Sequence, residues 1–189
     1  MDGEGVMLYN VRQSYTPALE LYEFDERSLI VDTETVGAGA EVEIVEIALG
    51  DCEGRIVYHS LVRPVFNRLP RSTKGQRFGR AEFEGAPYWD EVWMSVAPRI
   101  DNKLLIAYNA PFDCRALTAE RARHRQASPE RGWRCAMQLV KRIVGTKKNL
   151  TLSEACALYG LEAGNHRADK DVLATSRLLK ALEARLTKP

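Results

Sequence analysis

The run Ser28-Leu29-Ile30-Val31-Asp32-Thr33-Glu34 decides how this chain is read. Ser28 to Asp32 is short and apolar, the mark of a β-strand. Strand side chains alternate with period two, so Asp32 and Glu34 at its end share one face. Two carboxylates thus aim at one place. Buried side by side they repel, and either a proton or a cation must neutralise them. Taken alone, such a pair reads first as a solvated strand end and only second as a metal site.

Downstream, Val42 to Gly50 and Arg55 to Val62 read as strands flanking the turn Asp51-Cys52-Glu53-Gly54, where Gly54 can take the positive φ of a tight turn. With the first run they predict a three-strand antiparallel meander. Leu104 to Tyr108 is apolar without alternation, as in a strand buried on both faces. The rest reads as helix. Pro87 precedes a helix over Tyr88 to Ala97 that Pro98 is expected to end, and Phe112 to Arg125 and Trp133 to Val144 are rich in helix formers, the latter stopped by Gly145. Thr151-Leu152-Ser153-Glu154 is a capping box for a helix ending at Gly160. Val172, Thr175, Leu179, Leu182 and Leu186 line one face of a last helix. Strands, then helices, with one strand returning between them, imply an α/β layered fold.

With 189 residues, 45% of them apolar and 28% charged, one soluble domain with a sizeable core is expected. Met1 to Tyr9 has no basic leader-like region, and no stretch reaches the roughly 18 to 20 apolar residues of a membrane span, so no membrane association and a cytoplasmic location are expected. Cys52, Cys114, Cys135 and Cys156 are scattered, which argues against a zinc site or a disulfide framework. The formal net charge of +1 conceals a segregation: residues 1–27 hold six acids against two bases, a net of −4 that leaves +5 for the remainder. The expected division is an acidic N-terminal extension over 1–27 and a basic body over 28–189.

Two further groups carry chemistry. Asn109-Ala110-Pro111-Phe112-Asp113 follows the buried strand and opens a helix, which puts Asp113 beside the strand's carboxyl end, where ligands gather in open α/β sheets. Read alone, Asp113 is first an acid favoured by the helix dipole and only second a ligand. His166-Arg167-Ala168-Asp169-Lys170-Asp171 precedes the last helix, with His166 in a loop five residues before Asp171. That spacing suits a base swinging over a fixed carboxylate. His59 and His124 read as ordinary satisfied histidines, and Asp169 as a helix cap.

Together these residues resemble the DEDDh (DnaQ-like) 3'→5' exonucleases, whose motifs DxE, NxxFD and HxAxxD run in this order. Glu43-Ile44-Val45-Glu46-Ile47-Ala48 looks like the family's second strand, and the likeness spans roughly residues 28 to 183. The resemblance implies a ribonuclease H-like fold, a mixed five-stranded sheet with helices on both faces. It also implies that Asp32, Glu34, Asp113 and Asp171 bind two Mg²⁺ or Mn²⁺ ions and that His166 deprotonates the attacking water. The expected reaction is removal of nucleoside 5'-monophosphates from the 3' end of single-stranded DNA or from unpaired 3' ends.

By the same resemblance Thr33 and Thr35 meet the terminal nucleotide. Asn109, Phe112 and Arg167 are further candidates for substrate contact, Phe112 being equally a core aromatic and Arg167 equally a solvated charge. Arg63 to Arg80 carries Arg63, Arg68, Arg71, Lys74, Arg77, Arg80 and no acid, a run that can track a phosphate backbone or stay solvated. Many relatives have a His-Gly pair in this region. Here Phe78-Gly79 stands instead, and Phe78 can stack on a base. Three other readings stay open: an RNA exonuclease of the oligoribonuclease or tRNA-trimming type, a proofreading or trimming subunit of a larger complex, favoured by the acidic and aromatic stretch 1–27, and a catalytically silent binding module. A homodimer through the Trp133 to Val144 surface is compatible with the pattern.

Overall fold

In a computed structural model, which describes residues 24–66 and 78–186, the apolar run becomes strand β1 (Ser28–Val36). It pairs antiparallel with β2 (Glu43–Gly50), which pairs antiparallel with β3 (Ile56–Leu61). The expected meander is present, and Gly54 takes φ +83° in its turn. On its other side β1 pairs parallel with β4 (Leu104–Ala107), and β4 pairs parallel with β5 (Gly132–Cys135). The result is a mixed five-stranded sheet in the order β3-β2-β1-β4-β5.

All eight residues of β2 are buried, so both faces of the sheet are covered there. Helices α2 (Ala110–His124) and α5 (Ala168–Leu186) both pack on β1 and β2. Between the sheet and the helices Ile30, Ile47, Leu49, Leu105, Ile100, Leu117, Leu178 and Leu182 are fully enclosed, each contributing about 1.5–3 kcal/mol of hydrophobic stabilisation. Of the last helix's expected face Val172, Thr175, Leu179 and Leu182 are all buried, while the side chain of Leu186 lies outside what is described.

Three sequence expectations need correction. Trp133 does not start a helix: Gly132–Cys135 is an edge strand, and the helix that follows, α3 (Ala136–Val144), begins after it. Trp133 and Cys135 are buried and alternate with half-buried Gly132 and Arg134, but two alternations are too few to stand out against the helix formers behind them. Pro98 does not end α1 (Trp89–Ile100), which runs two residues further. The hydrogen bond a proline forfeits is to the carbonyl four residues back, here that of exposed Met94, while Ile100 is drawn into the core. Finally, α4 (Leu152–Ala157) stops short of Gly160. Its capping box is as expected, with Thr151 Oγ1 accepting from the Glu154 amide at 3.1 Å and Glu154 Oε2 from the Thr151 amide at 2.8 Å.

Most of the acidic extension, residues 1–23, lies outside the described residues, as does 67–77 with Arg68, Arg71, Lys74 and Arg77. Phe24 packs against the core. All four cysteines are free thiols, and among the described residues no helix is long and apolar enough to cross a membrane.

Candidate active site

The site is built where β1, α2 and α5 meet. Asp32 and Glu34 project from one face of β1, and Glu34 lies opposite Glu46 of β2, just before an irregularity that re-aims the pairing at Thr35. Thr33 points the other way and is buried. Its amide and its hydroxyl donate to the same oxygen of Asp113, Oδ1, at 2.9 and 2.8 Å. Asp113 sits in the first turn of α2, beyond Pro111, and is itself buried.

Asp171 lies in the first turn of α5 and His166 in the loop before it. The loop comes close. A Cβ on Gly164 would stand 1.6 Å from Asp171 Oδ1 and 2.9 Å from Asp171 Cα, so only glycine fits there. His166 takes a left-handed φ of +57°, and its amide donates to Asp171 Oδ1 at 3.3 Å. The ligand atoms of Glu34, His166 and Asp171 lie within 4.8 Å of one another.

The electrostatics are those of a site short of positive charge. Burial, then the neighbouring Asp113, Asp171, Glu34 and Glu46, hold the Asp32 carboxyl well above the usual carboxylate range. Burial pushes Asp113 up to about 7, even though the two Thr33 hydrogen bonds oppose it, and Asp171 adds to the rise. Clustered oxygen donors that resist joint ionisation fit hard divalent cations, which supply the missing charge and prefer such ligands. The expected carboxylates and His166 are thus brought to one end of the sheet.

The exonuclease family model (RNase T) matches residues 29–179. The chain belongs to this exonuclease family. Staphylococcus saprophyticus subsp. saprophyticus has a protein, 3'-5' exonuclease DinG, that is 27% identical over 156 residues, covering 79% of this chain and 17% of that protein. The chain spans about half or less of the curated relatives it matches. Exonuclease X, solved in complex with 5' overhanging duplex DNA, is 25% identical, with a TM-score of 0.57 over 82% of this chain and 91% of that one. The nuclease domain of 3'hExo, a DEDDh family member solved bound to rAMP, is 12% identical and shares the fold, with a TM-score of 0.66 over 85% of this chain and 92% of that one. The fold is the ribonuclease H-like fold of the DEDDh exonucleases.

Around these carboxylates and His166 the other candidates are dispersed. Thr35 is half-buried, and Asn109 is exposed, with its carbonyl accepting from the Phe112 amide at 2.8 Å. Phe112 is 40% exposed, which places its ring at the surface and not in the core. Phe78 is half-buried, 5.5 Å from the Phe83 ring, with the Arg167 guanidinium 4.8 Å above its centroid. Arg167 also pairs with Glu46 and with Glu82. Lys170 is exposed beside Asp169, and the Arg63 guanidinium lies over Tyr88. Sequence reasoning missed Glu46, a wholly buried acid contacting Arg167, the Ala168 amide and His59. The signal was there: an acid flanked by Ile44-Val45 and Ile47-Ala48 in a buried strand needs a partner.

Proposed function

We propose that this chain is a divalent-metal-dependent 3'→5' exonuclease that releases nucleoside 5'-monophosphates from the 3' end of single-stranded DNA or from unpaired 3' ends. One observation carries the reading: Glu34, His166 and Asp171 present ligand atoms within 4.8 Å of one another, beside two further carboxylates, Asp32 and Asp113, whose ionisation is suppressed. Asp32, Glu34, Asp113 and Asp171 would hold two Mg²⁺ or Mn²⁺ ions. Bound there, such ions would supply Lewis acidity for the attacking water and charge to stabilise the departing 3' oxygen.

The chain's own residues do the rest. Thr33 fixes the Asp113 carboxylate through two hydrogen bonds. His166, exposed at the rim, takes a proton from the attacking water on an unprotonated ring nitrogen, the task for which imidazole suits neutral pH. Asp171 both faces the site and accepts the His166 amide, so one carboxylate ties the loop of the base to the last helix.

DNA is favoured because Exonuclease X, a 25% identical structure, was solved on DNA. The test compares single-stranded DNA and RNA oligomers of one sequence, labelled at the 5' end, with Mg²⁺ or Mn²⁺. Stepwise shortening of the DNA from its 3' end, faster than that of the RNA, is the expected result. Faster RNA decay overturns the substrate, and internal cleavage or no metal-dependent cleavage overturns the activity.

A further inference from the structure

Glu46 has no place in the mechanism above, yet both its oxygens are engaged in hydrogen bonds. It is fully buried in β2. Its Oε1 accepts from Arg167 Nε at 2.9 Å and lies 2.7 Å from His59 Nε2, while Oε2 accepts from the Ala168 amide at 2.9 Å. Burial raises this carboxyl, but the His59, Ala168 and Arg167 hydrogen bonds outweigh it and bring it below the usual range. Glu46 is therefore a buried anion. Glu46, His59 and Asp169 also group within 4.8 Å, a geometry a metal ion could use. The guanidinium already on Oε1 and the amide on Oε2 occupy both oxygens of Glu46, which disfavours a metal there.

What this anion grips is the chain immediately after the proton acceptor. Arg167 and Ala168 immediately follow His166, and the His166 amide is tied to Asp171. His166 has a left-handed backbone, a conformation that costs a residue other than glycine free energy unless its surroundings enforce it. The Arg167 guanidinium also reaches the segment that holds Phe78 and Glu82, with Nη1 3.2 Å from Glu82 Oε2 and the carbon 4.8 Å from the Phe78 centroid. We propose that Glu46 and Arg167 are positioning residues: a clamp from β2 that sets the His166 loop and links its placement to the Phe78 segment.

This rests on the exonuclease reading, and the experiment separates the two. Arg167→Gln and Glu46→Gln are made alone and in a His166→Ala background. Single-turnover DNA cleavage and amide hydrogen exchange of the metal-free protein are then measured. A clamp acting through His166 predicts that each substitution lowers kcat by about 10- to 100-fold with little change in KM, the range seen when a supporting residue is lost. It also predicts faster exchange at Ala168, and in the His166→Ala background no further loss beyond about two-fold, because groups acting as a unit are not additive. Losses that multiply in the double variant overturn the clamp. So does an Arg167→Gln protein with intact kcat but raised KM and a shallower salt dependence, which makes Arg167 a phosphate contact. Should Glu46→Gln fail to fold, Arg167→Gln, on a partly exposed side chain, decides alone. A wild-type protein that releases no nucleotide defeats the exonuclease reading, while the exchange at Ala168 still tests the clamp.

Discussion

One oxygen of Asp113 receives both protons that Thr33 can donate, amide and hydroxyl, at 2.9 and 2.8 Å. The residue between the two acids of β1 thereby anchors the acid of α2, and a strand and a helix 80 residues apart share one polar joint. Hydrogen bonds to the charged form favour ionisation, so this joint opposes, without overcoming, the effect of burial on Asp113. Thr33→Val keeps the shape and removes the hydroxyl. Affinity for Mn²⁺, followed by calorimetric titration, should fall by about 10- to 100-fold with the fold intact.

Gly164 is a second point of close approach. Its place against Asp171 leaves no room for a methyl group, and the nearest atoms include the Asp171 backbone, which cannot swing aside. Gly164→Ala should displace the His166 loop or the Asp171 carboxylate, and an ångström of misplacement costs on the order of 100-fold in rate. Glu162→Ala, at an exposed neighbouring position, should leave the rate unchanged.

The raised carboxyls link metal, pH and stability. In the metal-free protein Asp113 holds its proton up to about 7, above its unfolded value, and Asp32 is raised as well. The folded state therefore binds more protons than the unfolded state between the two values. Stability from these groups is present in full below the unfolded pKa and is lost as pH rises through the folded one. Thermal unfolding of the metal-free protein should show this site's contribution falling from about pH 4 to 7, visible as the difference from Asp113→Asn. Metal must displace those protons, so stabilisation by Mg²⁺ or Mn²⁺ should grow over the same interval.

The basic run from Arg63 to Arg80 gives a prediction of a different kind. If it tracks the phosphate backbone, changing Arg68, Arg71, Lys74 and Arg77 together to Gln should weaken single-strand binding. It should also flatten the dependence of log K on log salt by about 0.7 for each phosphate no longer neutralised. An unchanged slope assigns the run to solvent.

The parts of the fold that were legible are those with long local signals. Asp32-Thr33-Glu34 on a period-two strand, the Gly54 turn and the Thr151 capping box each state their geometry within a few residues. Strand β5 did not, because four residues beside a helix hold too little periodicity, and its strand form comes from pairing with β4. The candidate site divides in the same way. His166 and Asp171 could be read as base and carboxylate from their spacing, but nothing local tells that Gly164 must be glycine for the sake of Asp171 or that Glu46 meets Arg167 across 121 positions. Pairings of that range exist only once the sheet has formed.

The central claim is that Asp32 and its neighbouring carboxylates hold divalent metal for hydrolysis at a 3' end, and Asp32→Asn tests it most directly. Release of nucleoside 5'-monophosphate from single-stranded DNA is followed in Mg²⁺ or Mn²⁺ for the wild type and for Asp32→Asn. The prediction is a loss of at least about 1,000-fold, equivalent to several kcal/mol of transition-state stabilisation, in a protein that remains folded. Metal-dependent release at the wild-type rate by the folded Asp32→Asn protein would contradict the account.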